Sequence, residues 1–259
     1  MNVSLFVPCY VDQLAPDVAW ATLRVLERAG CRVHYDPDQG CCGQPFLNRG
    51  ATREARRLAC RHLERFADAE AIVAPSASCI ATVRHRFAAL GADAGDALLA
   101  QTARSYELGE FLVRVLGKTQ LGARFPYRVA VLQSCHGLRE LGLGTPSELV
   151  GVGDAPGPTE QLLRSVEDLT LVAADRPDEC CGFGGAFSVT HPTLSGRMGL
   201  ARLRAFTDAG AEYVTGTDVS CLLHLDGLRR REGFGPRAIH LAEILANGAA
   251  ASRPEAGAQ

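Results

Sequence analysis

Lysine is almost missing from this chain: Lys118 is the only one among 27 lysine and arginine residues. The bias reads as coding-sequence composition and carries no chemistry. An excess of either charge is also missing. The formal net charge is −2, which excludes a protein held on nucleic acid or a membrane surface by bulk electrostatics. No run of 18 apolar residues occurs, so no transmembrane helix is expected. The first residues, Met1 to Val7, lack a basic region followed by a long apolar one; they read as a first strand, not as a signal peptide. No P-loop, no flavin or nicotinamide fingerprint and no nucleophile–base constellation stands out. Gly151-Val152-Gly153 lies among prolines and not after a clear strand.

What is present in quantity is cysteine, ten in 259 residues, in a chain of ordinary globular composition with 47% hydrophobic residues. The expected compartment is the cytoplasm, where cysteines serve as metal ligands or redox groups more often than as a disulfide framework. The length allows one large α/β domain or two small ones.

Two copies of one pattern lie end to end. The first has a strand at Val3–Val7 followed by Cys9, and a helix at Val18–Ala29 stopped by Gly30. A strand at Cys31–Tyr35 follows, with its loop leading to Cys41-Cys42-Gly43. A helix at Thr52–Ala67 and a strand at Ala71–Ala74 lead to Cys79, and a helix from about Asp96 to Leu116 closes the copy. The second has a strand at Val129–Leu132 before Ser134-Cys135-His136, then a looser stretch, Gly142–Pro158. A helix beginning at Thr159 and a strand at Thr170–Ala173 lead to Cys180-Cys181-Gly182. A helix at Pro192–Ala209 and a strand at Glu212–Thr215 lead to Cys221, and a last helical segment reads at Ile239–Leu245. The reading is therefore α/β: two tandem pseudo-symmetric repeats, each a mostly parallel sheet with flanking helices. They occupy residues 1–120 and 127–246, with a linker near Gly117–Tyr127 and a disordered tail at 247–259.

Each repeated cysteine follows the C-terminal end of a strand, the edge where parallel sheets bind ligands. Three strand ends can gather Cys9, Cys41, Cys42 and Cys79 in one half, and Cys135, Cys180, Cys181 and Cys221 in the other. Four thiolates suit a [4Fe–4S] cluster, and tetrahedral zinc accepts the same set. Adjacent cysteines face opposite ways on a strand; Gly43 and Gly182 permit the turn that aims both at one site. Neighbouring thiolates reach two irons of one cluster more easily than two corners of a small tetrahedron, which favours iron–sulfur. The loop Gly182-Phe183-Gly184-Gly185 fits a cluster cover. A vicinal dithiol redox site is the competing chemistry. Cys31 and Cys60 have no counterparts and read as small core residues. His136 sits beside Cys135 with Arg139 one turn further, where a cation would stabilise a reduced cluster or bind a carboxylate; a polar residue opening a helix is the plainer reading. His240 reads as structural.

The pattern Cys-x(31)-Cys-Cys-Gly-x(35)-Cys, with its longer second copy, resembles the cysteine-rich CCG-domain family of iron–sulfur proteins. So do the segments Val3-Ser4-Leu5-Phe6-Val7-Pro8-Cys9, Gly40-Cys41-Cys42-Gly43-Gln44-Pro45, Pro75-Ser76-Ala77-Ser78-Cys79 and Cys180-Cys181-Gly182-Phe183-Gly184-Gly185. The resemblance spans about residues 1–246 and is nearest to the members serving lactate utilization. It implies a cytoplasmic iron–sulfur electron-transfer subunit, with one [4Fe–4S] cluster per half or zinc in one half. Such a subunit works with partner iron–sulfur and accessory subunits to oxidise L-lactate to pyruvate. Larger relatives carry a ferredoxin-type Cys-x-x-Cys-x-x-Cys segment that this sequence lacks, so electron relay falls to a partner. Heterodisulfide-reductase relatives end each half in Cys-x-x-Cys. Here Thr82 and His224 hold those places, which argues against non-cubane clusters and disulfide cleavage. His224 is left as a nitrogen ligand or as a residue behind the ligands. A thiol or heterodisulfide-type reductase and a zinc-stabilised scaffold remain the alternatives.

Overall fold

The computed structural model describes residues 1–90, 100–147 and 155–247. It contains two four-stranded parallel sheets of identical topology. The first comprises β1 (Asn2–Leu5), β2 (Arg32–Tyr35), β3 (Ile72–Ala74) and β4 (Ser105–Glu107), in the spatial order β2-β1-β3-β4. The second comprises β5 (Arg128–Val131), β6 (Thr170–Val172), β7 (Tyr213–Gly216) and β8 (Arg237–His240), in the order β6-β5-β7-β8. All pairings are parallel, with Val3 beside Val33 and Leu5 beside Val73 in one sheet, and Val129 beside Leu171 and Tyr213 in the other. The α/β class and the repeated parallel sheets are those the sequence implies.

Two expectations fail at the fourth strand of each sheet. The helix read at Asp96–Leu116 is helical at residues 100–102 but is then interrupted by β4, which leads into the short helix Leu108–Glu110 and a π-helical turn, Phe111–Val115; residues 96–99 lie outside the described residues. The segment read as helical at Ile239–Leu245 begins with the end of β8, and its helix runs Leu241–Ala246. Both missed strands are short edge strands leading at once into a helix, so the helical spacing of the apolar residues behind them absorbs them. Gly151-Val152-Gly153 and all but Asn247 of the 247–259 tail also lie outside the described residues.

Side chains on the strands alternate between two cores, as a period of two requires. Val3, Leu5, Val73 and Val129 face one apolar cluster that draws on both halves. Ile72 and Ala74 face a second cluster with Phe6, Ala59, Leu63, Ile80 and Phe87. Ala130 and Val214 face a third with Leu203, Phe206, Leu222 and Leu225. The shared cluster is built from helix Pro16–Arg28 (Val18, Ala21, Val25, Leu26), helix Pro158–Arg164 (Leu162, Leu163) and the helical segments after β4 and β8. The segment after the last strand of each half packs on a helix of the other: Leu241–Ala246 against Pro16–Arg28, and Leu108–Val115 against Pro158–Arg164. Arg28 closes this exchange. Its guanidinium donates to the carbonyls of Leu121 (3.2 Å), Leu245 (3.0 Å) and Ala246 (3.0 Å), placing a cation on a helix C-terminus.

β4 and β8 end in fully buried titratable residues that open the following helices. Glu107 Oε2 accepts the Glu110 amide at 3.0 Å, while Oε1 has no partner. His240 Nδ1 accepts the Ala242 amide at 3.1 Å, and Glu243 accepts the His240 amide in return. Burial pushes the Glu107 carboxyl up to about 7 and the His240 imidazole down to about 4. A carboxyl raised on folding binds more protons in the folded chain, so its contribution falls as pH rises from about 4.5 through about 7. His240 works oppositely, its contribution falling as pH drops from about 6.5 through about 4. Urea titrations across pH 4.5–8 should therefore show the stability of wild type relative to Glu107→Gln declining with pH, by about 2–3 kcal/mol in total. A pH-independent difference would mean that Glu107 does not titrate there.

Candidate metal centre

In the first half the loop after β2 is laced to the end of β1 by one side chain. Gln39 Oε1 accepts the Val7 amide at 2.7 Å, and Gln39 Nε2 donates to the Leu5 and Asp36 carbonyls at 3.3 and 2.9 Å. This brings Cys41 and Cys42 beside Cys9, the first residue of helix Cys9–Leu14. Gly43, at φ 83°, turns the chain directly after the pair, a conformation favouring glycine. The pair then splits. Cys41 Sγ lies 3.6 Å from Cys9 Sγ, while the buried Cys42 Sγ lies 3.5 Å from Cys79 Sγ, in the first turn of helix Ala77–Leu90. The Gly43 amide donates to Cys41 Sγ at 3.4 Å.

The second half repeats this pairing. Cys135 and Cys180 are 3.8 Å apart and Cys181 and Cys221 are 3.0 Å apart; the Gly182 amide donates to Cys180 Sγ at 3.4 Å. Gly182 has φ 88°, and a Cβ there would fall 2.6 Å from the Ser195 carbonyl oxygen and 2.7 Å from Met198 Cβ. The turn is thus pressed against helix Pro192–Asp208, whose Ser195 hydroxyl donates to the Gly182 carbonyl at 2.7 Å.

All eight thiols line a single cavity of about 330 Å³. The halves meet across it, with the Tyr10 and Phe183 rings edge to face at 5.8 Å and Gln44 Nε2 3.0 Å from His136 Nε2. In each half the first cysteine of the adjacent pair accepts the most hydrogen bonds, from neighbouring thiols and from a glycine amide. Thiol donation from Cys42 and then Cys9 pulls Cys41 down to about 3. Donation from Cys135 and then Cys181 pulls Cys180 down to about 2. Sharing a proton with that thiolate, and then burial, pushes Cys9, Cys42, Cys135 and Cys181 up. Each set therefore carries one ready thiolate beside two reluctant thiols, Cys9 and Cys42 in one half and Cys135 and Cys181 in the other. Ionising the rest calls for positive charge in their midst, which a soft metal group supplies to sulfur donors. Among the described residues, no three His, Cys, Asp or Glu side chains form a ready site for one ion.

Of the other residues singled out in the sequence, His136 and the loop residues Phe183, Gly184 and Gly185 line the cavity, while Arg139, His224, Thr82 and Cys31 do not. Arg139 is turned to Asp178 at 3.2 Å, a carboxylate that also accepts from Ser147. His224 lies behind the Cys180-Cys181 turn and does not line the cavity. Its ring centroid is 6.0 Å from that of Phe183, its Nε2 is buried without a partner, and burial pushes the imidazole down. Thr82 bonds the Ser78 carbonyl within its own helix at 2.9 Å. Cys31 is buried in the shared core, where desolvation pushes its thiol up. Sequence reasoning passed over Asp218, a buried carboxylate lining the cavity that accepts hydrogen bonds from Ser76, Ser78 and Ser134. The available signal was positional, since Asp218 precedes Cys221 by the three residues that separate Ser76 from Cys79.

Two parallel sheets with flanking helices, bringing eight thiols to one cavity, define a cysteine-rich α/β protein. The CCG cysteine-rich domain matches twice, at residues 3–84 and 129–226, and the chain belongs to that family. Among curated proteins it is 38% identical to the lactate utilization protein A of Oceanobacillus iheyensis over 253 residues, covering 95% of this chain and 96% of the relative. The proteins of the same name from Exiguobacterium sp. and Macrococcus caseolyticus are also 38% identical, each over 95% of this chain and 98% and 97% of the relative.

The two CysCysGly turns differ in tolerance. Gly43→Ala meets only ordinary contacts, the nearest at 3.4 Å, and should cost about 1 kcal/mol from backbone strain. Gly182→Ala adds a collision with backbone to the same strain and should cost about 2–4 kcal/mol. Urea unfolding of the two variants at equal metal content checks the order; equal losses would contradict the packing described for Gly182.

Proposed function

We propose that this protein is the iron–sulfur electron-transfer subunit of a system oxidising L-lactate to pyruvate, acting with partner iron–sulfur and accessory subunits. The observation that carries the reading is the arrangement of eight cysteines as two equivalent sets opening into one cavity. The relatives' printed name supplies the metabolic context. Cys9, Cys41, Cys42 and Cys79 would hold one [4Fe–4S] cluster, and Cys135, Cys180, Cys181 and Cys221 a second. Such a cluster, when bound, supplies transfer of one electron at a time. Conversion of a 2-hydroxy acid to a 2-oxo acid releases two electrons and two protons, so two one-electron groups in one protein match its demand.

The chain's own residues hold and shield. The Gly43 and Gly182 amides donate to Cys41 and Cys180, steadying negative charge on those sulfurs. His136, between Cys135 and the Gln44 amide, adds favourable charge toward Cys180 when protonated. Tyr10 and Phe183 close over the cavity from opposite halves. All ten cysteines are unbridged, in keeping with a reducing cytoplasm. No helix among the described residues is long and apolar enough to cross a membrane.

The depressed Cys41 and Cys180 thiols favour one rival, a thiol-dependent reductase. Zinc in one or both halves is the other. Metal and sulfide analysis after oxygen-free purification separates all three. The expected result is about eight irons and eight sulfides per chain, with an absorption band near 400 nm that bleaches on reduction. Cys41→Ser or Cys181→Ser should each remove at least half of the iron. Stoichiometric zinc without the band would establish a scaffold, and turnover of a disulfide by the metal-free chain would establish the reductase.

A further inference from the structure

Ser76 and Asp218 hold equivalent places, each at the N-cap of the helix whose third residue is the last cysteine of its set. Ser76 acts locally: its hydroxyl accepts the Cys79 amide at 3.3 Å. Aspartate is equally suited to capping, yet Asp218 makes no side-chain bond to its own helix. Its carboxylate crosses to the other half instead. Oδ1 accepts the Ser78 amide at 3.0 Å, from the first turn of helix Ala77–Leu90, together with the hydroxyls of Ser76 at 2.9 Å and Ser78 at 2.7 Å. Oδ2 accepts the hydroxyl of Ser134, which itself accepts the Gly137 amide at 3.4 Å and so braces the turn bearing Cys135. The backbones of Ser76 and Asp218 also form an antiparallel bridge. Asp218 is only 3% exposed, so bulk water does not compete for these bonds.

We propose that Asp218 is a positioning residue for both sets of thiols at once, so that filling one set of four cysteines prepares the other. The carboxylate reaches Cys79 through Ser76 and Ser78, Cys135 through Ser134, and Cys221 through its own helix. A group seated in either half fixes a helix start or turn that Asp218 shares with the opposite half, lowering the ordering cost of the second loading. The proposal rests on the cluster reading above.

The test supplies ferrous iron and sulfide below saturation to the full chain without oxygen and counts bound clusters by native mass spectrometry. Wild type should consist mainly of empty and doubly loaded chains. Asp218→Ser, which permits a local cap of the Ser76 kind but removes the crossing, should raise the ratio of singly to doubly loaded chains roughly tenfold, the factor one bond to a charged group supplies. Asp218→Asn keeps the shape and weakens the acceptor, and should fall between them. As a second reading, Cys181→Ser should lower iron retention by the first half in wild type and have no such effect in the Asp218→Ser background. Ratios unchanged from wild type, or a Cys181→Ser effect indifferent to residue 218, would overturn the role of Asp218. A wild-type chain that takes up neither iron nor sulfide would overturn the cluster reading itself.

Discussion

The two sheets depend on one apolar layer that belongs to neither alone. Each half sends the segment after its last strand onto a helix of the other, and Val3, Leu5, Val129, Leu162 and Leu245 share a single cluster. Removing either half would strip the other of an inner face, a far greater loss of burial than any single contact. This exchange fixes how the sheets sit, and therefore where their strand ends lie. Arg28, with its guanidinium on the carbonyls of Leu121, Leu245 and Ala246, ties the last described helix into the same layer. The common cavity is thus a consequence of the core, not of contacts among the cysteines.

Sulfur chemistry then works against the metal-free fold. Grouped thiols cannot all ionise near one another, and hydrogen bonding resolves the conflict by concentrating charge on Cys41 and Cys180 while Cys9, Cys42, Cys135 and Cys181 are held toward the protonated form. The backbone anticipates that division, since the amides of Gly43 and Gly182 both point at the sulfur that carries charge. Ligand binding and proton release are therefore linked: a cationic group entering either set has to displace protons from Cys9 and Cys42, or from Cys135 and Cys181.

Much of this arrangement was legible in the sequence, because a duplicated pattern is its own control. The recurrence of strand, cysteine, CysCysGly and cysteine locates six strands and marks eight thiols for one edge of each sheet, and the parallel order of both sheets agrees with it. β4 and β8 were not legible. Ser105-Tyr106-Glu107 is too short to display alternation, and Ile239-His240 merges into the apolar spacing of Leu241–Ala246. The exchange of helices across the halves was equally hidden, since amphipathic spacing reports that a face is buried but not against what. Arg139 shows the same limit. Its position one turn after His136 suggested a charge near the thiols, but Asp178, distant in sequence, draws it away.

Where the halves differ is as informative as where they agree. The cysteines and the glycines after each pair match in place and role, as expected for parts that contact a common kind of ligand. The differences along the last helix of each set, Ser76 against Asp218 and Thr82 against His224, lie one step back from the thiols. With serine at both N-cap positions, each helix could be capped within its own half, and any side-chain bond across would be between neutral groups. An aspartate on one side only permits charge-assisted bonds across, because a carboxylate accepts several donors and two serines and an amide of the opposite half are at hand. Two aspartates facing one another at the Ser76–Asp218 bridge would instead bring like charges together in a buried seam. Asymmetry at this position is thus what a nearly symmetric protein requires if its halves are to be joined by charge-assisted hydrogen bonds.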